Sequence, residues 1–251
     1  MSRVLKCFFI GILSLVCCTS VTPLTKVAKL PQETQTQPTR QGFENTTLDN
    51  DKYPCVIGLH RANKSFVGSG VLITPYYILT AGHCIDGDDI TEVHLFDGRV
   101  FCVRQLIHHP YYSIGKYVMN DIGIIALDEP ILDVEIYDLC PDLLQMYKFQ
   151  DIDLCGYGGS WKKQSVVGKF NFYGILIHEI NEFKILPVDG SVWFGDSGGG
   201  AFATIGGKKY QIGIIRSFSA IRVRGAPTII ENSCVRVDRY LVWIRSIINT
   251  R

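Results

Sequence analysis

The 251-residue chain lacks an excess of charge of either sign: Lys and Arg total 25, Asp and Glu 24, for a net charge of +1. Nothing in that balance draws the protein to nucleic acid or to an anionic membrane. Long hydrophobic runs are missing too. The apolar stretch Cys7 to Cys18 follows Arg3 and Lys6 and ends at Thr19-Ser20. It is too short for a transmembrane span and has the length of a signal-peptide core. Residues 1–20 are therefore expected to be a signal peptide and the protein to be secreted. Lipid anchoring at Cys17 or Cys18 is the weaker alternative, because Val16 or Cys17 before it matches a lipoprotein signal poorly. Metal-ligand patterns are also lacking: six His and three Met are unclustered, and the cysteines show no CxxC or Cys/His ligand spacing. Asp86-Gly87-Asp88-Asp89 reads as a solvated turn rather than a calcium loop. No metal and no cofactor is expected.

Of nine cysteines, the six outside the signal are Cys55, Cys84, Cys102, Cys140, Cys155 and Cys234. An even number in an exported chain suggests disulfides, with fifteen possible pairings. Residues 21–50 are polar, with Pro23, Pro31 and Pro38 among Thr and Gln. They bury too little apolar surface to offset their ordering entropy and read as a pro-segment or linker. Glycosylation-type triplets stand at Asn45-Thr46-Thr47 and Asn63-Lys64-Ser65.

From Tyr53 onward the texture is one of short β-rich runs between turns. Val56–Leu59, Gly70–Ile73, Tyr76–Thr80, Val93–Phe96, Val100–Ile107 and Ile122–Leu127 form one group of expected strands. Ile152–Gly156, Val166–Ile180, Lys184–Val188, Gly200–Thr204 and Tyr210–Phe218 form another. Asp97-Gly98, Gly158-Gly159 and Gly206-Gly207 supply turn chemistry between runs. Many short strands with little helical periodicity argue for an all-β sandwich or barrel. A helix is expected over about 237–249, where Val237, Tyr240, Leu241, Ile244, Ile247 and Ile248 share one face and Asp238 caps or charges the first turn.

Chemistry concentrates in Gly195-Asp196-Ser197-Gly198-Gly199-Gly200. A serine between glycines can sit on a bare, tight turn with its Oγ exposed and backbone N–H groups free, as an acyl-transfer nucleophile requires. Upstream stand Thr80-Ala81-Gly82-His83-Cys84 and Asn120-Asp121-Ile122-Gly123-Ile124-Ile125. Taken singly, Ser197 is a turn serine, His83 a structural histidine and Asp121 a strand-end carboxylate. Together they form a base, an orienting acid and a nucleophile in the order His, Asp, Ser. His60, His94, His108, His109 and His178 lack such company and read as surface or loop residues.

These three segments resemble the trypsin-like (chymotrypsin-fold) serine peptidases, from about Tyr53 to the end. Gly68-Ser69-Gly70-Val71-Leu72-Ile73, Ile107-His108-His109-Pro110-Tyr111-Tyr112 and Val235-Arg236-Val237-Asp238-Arg239-Tyr240…Trp243-Ile244 fall in the family's order. The resemblance implies a peptidase domain over 51–251, built of two antiparallel Greek-key β-barrels with a C-terminal helix and the active site between them. It implies a secreted endopeptidase in which Ser197 attacks, His83 moves the proton, Asp121 orients His83, and the N–H groups of Gly195 and Ser197 form the oxyanion hole. Protein or peptide substrates follow, with protein inhibitors as possible partners, and a monomer is expected.

The chain departs from the family in four places. The strand cysteine that pairs with the one after the catalytic His is replaced within Val67-Gly68, and cysteines framing the specificity pocket are missing, Trp193 standing four residues before Ser197. Different bridges or free thiols are therefore expected. The family's apolar activation end is not seen after Arg40, which leaves open whether Asp196 is neutralised by a new amino terminus, as in a zymogen, or otherwise. The pocket-floor position is Ser191, without the carboxylate that selects Lys or Arg, although Asp189 is two residues away. Ser217-Phe218-Ser219 resembles the substrate-binding edge, so cleavage after uncharged residues is expected. Arg216, Arg222 and Arg224 either favour an acidic side chain or form a solvated face. Two readings compete with an active enzyme: a catalytically silent homologue that binds or regulates, and an unrelated β-sandwich adhesin.

Overall fold

A computed structural model describes residues 52–87, 89–114, 118–143, 151–158, 163–171, 181–189, 191–221 and 229–250. The expected signal peptide and pro-segment lie outside these residues, as do His178, Arg222 and Arg224.

Apolar, β-branched runs too short for helices pair into β1 (Val56–Arg61), β2 (Phe66–Thr74), β3 (Tyr77–Thr80), β4 (Ile90–His94), β5 (Val100–His108) and β6 (Gly123–Leu127). β3 and β6 are buried throughout, whereas β5 is half-buried and partly exposed. These strands close a barrel in the order β1-β2-β3-β6-β5-β4. The second half repeats that order. β8 (Ile152–Gly156), β9 (Gln164–Asn171), β10 (Glu182–Asp189), β11 (Gly200–Ile205), β12 (Lys208–Ile221) and β13 (Ile229–Arg236) run β11-β8-β9-β10-β13-β12. A β11–β12 pairing joins the two ends, and β7 (Asp138–Leu139) adds in parallel to β12. The two-residue turn Gly206-Gly207 links β11 to β12, with Ile205 opposite Lys208. The architecture is the all-β, two-barrel one expected of the sequence, with antiparallel pairing throughout apart from β7.

A 3-10 turn (Asp238–Tyr240) leads into α1 (Leu241–Ile248), shorter than the expected 237–249. Val237, Tyr240, Leu241 and Ile244 are buried, as their spacing predicts. Asp238 makes no side-chain cap; its carboxylate instead pairs with the buried Arg236 and accepts the Leu143 N–H at 3.2 Å. No helix among the described residues is long and apolar enough to cross a membrane.

Two local readings are corrected. His60 is buried on β1 rather than on the surface, its ring stacked 3.7 Å from that of His94 on β4. His94 and His108 also belong to strands. β13 was hidden because Glu231-Asn232-Ser233 interrupts its apolar pattern, yet Asn232 and Ser233 are buried between β10 and β12. Of the two alternatives for the cysteines, different bridges or free thiols, the described residues show free thiols at all six positions.

Candidate active site

His83 lies in a one-turn 3-10 helix (Gly82–Cys84) that follows β3 directly. Asp121 comes from the neighbouring strand of the same barrel, just before β6, which pairs with β3 through Thr80 and Gly123. Asn120 turns the chain there with φ of 49°, a left-handed conformation that Asn tolerates better than most residues. Its amide Nδ2 donates to the Tyr111 carbonyl at 2.8 Å, and its Oδ1 accepts from Tyr240 Oη at 3.1 Å. The adjoining carboxylate is thereby aimed inward. Asp121 Oδ1 accepts the backbone N–H of His83 at 2.8 Å, and Oδ2 lies 2.8 Å from His83 Nδ1. That two-point grip suits an Nδ1 proton on the Asp121 side and an Nε2 left without one.

Ser197 arrives from the second barrel, on the turn between Val192 and β11. Gly195 and Gly198, on either side of it, have φ of 97° and 84°. At Gly198 a Cβ would also meet the Ser69 carbonyl at 2.0 Å and Thr80 Oγ1 at 2.3 Å, so only glycine fits. The turn is tied down by bonds from Gly198 N–H to the Ile215 carbonyl (2.7 Å), Gly199 N–H to the Asp196 carbonyl (2.9 Å) and Ser69 N–H to the Ser197 carbonyl (2.8 Å). The N–H groups of Gly195 and Ser197 have no acceptor among the described residues. Ser197 Oγ donates to the Arg216 carbonyl at 3.1 Å.

His83, Asp121 and Ser197 line one cavity of about 570 Å³, together with Val192, Trp193, Phe194, Phe218 and neighbouring residues of β12. Trp193 stacks on Phe218 with centroids 5.4 Å apart, and Phe194 meets Phe218 edge-on at 5.5 Å. Ser217 and Phe218 line the cavity; Ser219 is exposed and does not. Ser191 is buried off the cavity lining, its Oγ donating to Asn232 Oδ1 at 2.9 Å. Asp189 ends β10 opposite Val167.

The electrostatics follow from burial against pairing. Burial by itself disfavours a charged imidazole, but hydrogen bonds to Asp121 and Cys84 outweigh it and raise His83 above the ordinary histidine range. Burial likewise opposes the Asp121 carboxylate, yet His83 and the positive charge of Arg216 hold it below its usual value. Asp196 is buried, and its carboxylate accepts the N–H of Gly158 at 2.6 Å and of Trp193 at 2.7 Å. The glycines at 156 and 158 make room for it, since a Cβ at either would come within 2.6 Å of its oxygens.

Two residues of the site escaped the sequence reading. Ser69, within Gly68-Ser69-Gly70, donates from Oγ to the Gly195 carbonyl at 2.7 Å and accepts the Tyr157 N–H at 2.9 Å. Arg216, read as a specificity or surface residue, instead reaches Asp121: Nε stands 3.4 Å from Oδ2. A lone arginine after the apolar run Ile212-Gly213-Ile214-Ile215 was the available signal.

A family model described as Trypsin matches residues 41–244. Trypsin theta of Drosophila melanogaster is 30% identical over 102 residues, 38% of each chain. A probable periplasmic serine protease (do/HhoA-like) of Haemophilus influenzae is 34% identical over 94 residues, 37% of this chain and 18% of its own length. The proclotting enzyme of Tachypleus tridentatus is 24% identical over 167 residues, 50% of this chain and 44% of its own length. The chain thus spans less than half the length of each of these relatives.

Proposed function

Because this chain belongs to the trypsin family, we propose that it is a secreted serine endopeptidase that cleaves peptide bonds through an acyl-enzyme on Ser197. The observation that carries this reading is the shared cavity: the hydrogen-bonded pair His83–Asp121 and the glycine-flanked Ser197 face the same space. Ser197 Oγ attacks the scissile carbonyl carbon while His83 Nε2 takes its proton. The carbonyl oxygen, now negative, is met by the N–H groups of Gly195 and Ser197. The C–N bond then breaks, the amine leaves with the proton from His83, and water repeats the sequence to release the acid. Asp121 holds the ring and stabilises its cationic form.

The side chain before the scissile bond is uncharged in this reading. Val192, Trp193, Phe194, Ile215 and Phe218 give the cavity an apolar wall. Arg216 argues against an acidic preference, since its charge is already met by Asp121 and by Glu182, at 2.9 Å. Residues 1–20 serve as signal peptide and 21–50 as pro-segment; amino-terminal sequencing of the mature protein tests both and identifies the amino terminus that any cleavage creates.

A catalytically silent homologue is the second reading, favoured by one feature: Ser197 Oγ donates to the Arg216 carbonyl, so it must rotate before His83 can take its proton. A fluorophosphonate separates the two. Wild type is expected to be labelled covalently and Ser197→Ala, with its fold intact by circular dichroism, not at all. Equal labelling of both proteins refutes the assignment of Ser197, and an unlabelled wild type leaves the silent reading.

A further inference from the structure

Arg216 stands on β12 with its guanidinium between carboxylates that come from different barrels. Nε lies 3.4 Å from Asp121 Oδ2, the oxygen that also faces His83 Nδ1 at 2.8 Å. Nη1 donates to Glu182 Oε2, on β10, at 2.9 Å, and Nη2 lies 3.4 Å from the Val118 carbonyl. Glu182 is held in turn by Ser233 Oγ of β13, at 2.8 Å. The side chains of Asp121, Glu182 and Arg216 are 2%, 13% and 21% exposed, so solvent screens this chain of charges weakly. The same residue reaches the nucleophile through its backbone, because the Arg216 carbonyl accepts Ser197 Oγ.

We propose that Arg216 is a positioning residue: its guanidinium fixes the Asp121 carboxylate against the imidazole and offsets part of that negative charge, while Glu182 limits the offset. The inference rests on the triad reading above. A planar, permanently charged fork suits the task, as it can face two carboxylates at once and cannot lose its proton. At 3.4 Å its effect on Asp121 is chiefly one of charge rather than of a short hydrogen bond. A cation there disfavours the imidazolium, and the Glu182 carboxylate behind it pulls the opposite way. The site therefore carries an asymmetric balance in which removing either charge has a signed consequence.

Other titratable groups also face the pair. Cys84 adjoins His83, and Tyr112, in the field of Asp86 and Asp121, approaches from the segment after β5. Tyr240 approaches from the turn before α1. His108 stacks on Tyr112 and His109 packs against Tyr240. All of these stay constant across the variants below, so the change reports on Arg216 and Glu182.

The test is the His83 imidazole titration, followed by nitrogen NMR in the Ser197→Ala protein, alone and combined with Arg216→Gln or Glu182→Gln. In parallel, the pH dependence of fluorophosphonate labelling is measured with Ser197 present. Arg216→Gln is expected to move the imidazole midpoint up by about one pH unit and Glu182→Gln to move it down by a similar amount. The acid limb of labelling should move with it, and the labelling plateau should fall in Arg216→Gln. A merely structural arginine lowers the plateau with the midpoint unmoved, and that result overturns the proposal. Shifts of the same sign in both variants also overturn it. If Arg216→Gln does not fold, Glu182→Gln decides alone, an unchanged or raised midpoint being the adverse result. Failure of the triad reading appears separately, as labelling that survives Ser197→Ala, and leaves the NMR titration to judge Arg216.

Discussion

At the scale of single residues, His83 and Asp121 are displaced in opposite directions, and each displacement fixes a sign. Burial works against both charged forms, but their mutual hydrogen bonds prevail, raising His83 to about 10 and lowering Asp121. A raised imidazole stabilises the fold fully below its unfolded value, near pH 6.5, and that contribution is lost as pH climbs through the folded value. A lowered carboxylate stabilises above its unfolded value, near pH 4, and loses that contribution as pH falls through the folded one. The pair thus contributes most at about pH 5–6. Urea unfolding of Ser197→Ala, a background that removes self-digestion, should exceed that of Ser197→Ala/Asp121→Asn by most in this window. The gap should narrow steadily toward pH 10; a gap that widens with pH contradicts the charged pair. If Ser197 is labelled with His83 as its base, the acid limb of fluorophosphonate labelling should lie above the ordinary histidine midpoint.

At the scale of elements, most of the fold was legible because the strands bury apolar runs that announce themselves. β6 is purely hydrophobic or small and β3 is apolar up to Thr80, and Gly206-Gly207 marks its hairpin. β13 was not legible, because its polar centre is buried against neighbours that only the tertiary structure supplies. The cysteines were legible in part. The loss of a partner for Cys84 was read at Val67-Gly68, and β2 shows the position to be Gly68: a Cβ there would lie 2.8 Å from Cys84 Sγ and 3.7 Å from Cys84 Cβ. Those separations suit a disulfide. Gly68→Cys is therefore expected to bridge to Cys84 and, by closing a short loop, to stabilise the protein by about 2–3 kcal/mol. Gly68→Ala should do the opposite, since its methyl meets the same sulfur and the Ser197 carbonyl at 3.0 Å with no bond to gain. Denaturation midpoints with and without dithiothreitol check both: the gain of Gly68→Cys must vanish on reduction, and the loss in Gly68→Ala must not change.

At the scale of the molecule, the triad motifs were readable in sequence because each sits in its own short turn with fixed neighbours. What joins the two barrels was not, because those contacts cross some ninety to one hundred and thirty residues of chain (Tyr157 to Ser69 spans 88, Ser69 to Gly195 spans 126). Ser69 is fully buried on β2, in the barrel that carries His83 and Asp121. Its Oγ serves the second barrel twice, donating to the Gly195 carbonyl and accepting the Tyr157 N–H, and its own N–H holds the Ser197 carbonyl. Ser69→Ala strands the buried Tyr157 N–H and the half-buried Gly195 carbonyl, at a cost of about 2–4 kcal/mol. It also frees the turn on which Ser197 rides. A misplacement of about 1 Å costs about 100-fold in rate, so labelling should fall by at least about tenfold under conditions where the protein remains folded. Val93→Ala is the contrast. Val93 is fully buried on β4, in the first barrel, opposite Leu59 of β1 and Phe101 of β5, and its truncation costs about 2 kcal/mol. Comparable destabilisation with a labelling rate near wild type is expected there. If both variants slowed labelling in proportion to their lost stability, Ser69 would be one more buried hydrogen bond and not the joint that registers Ser197 against His83.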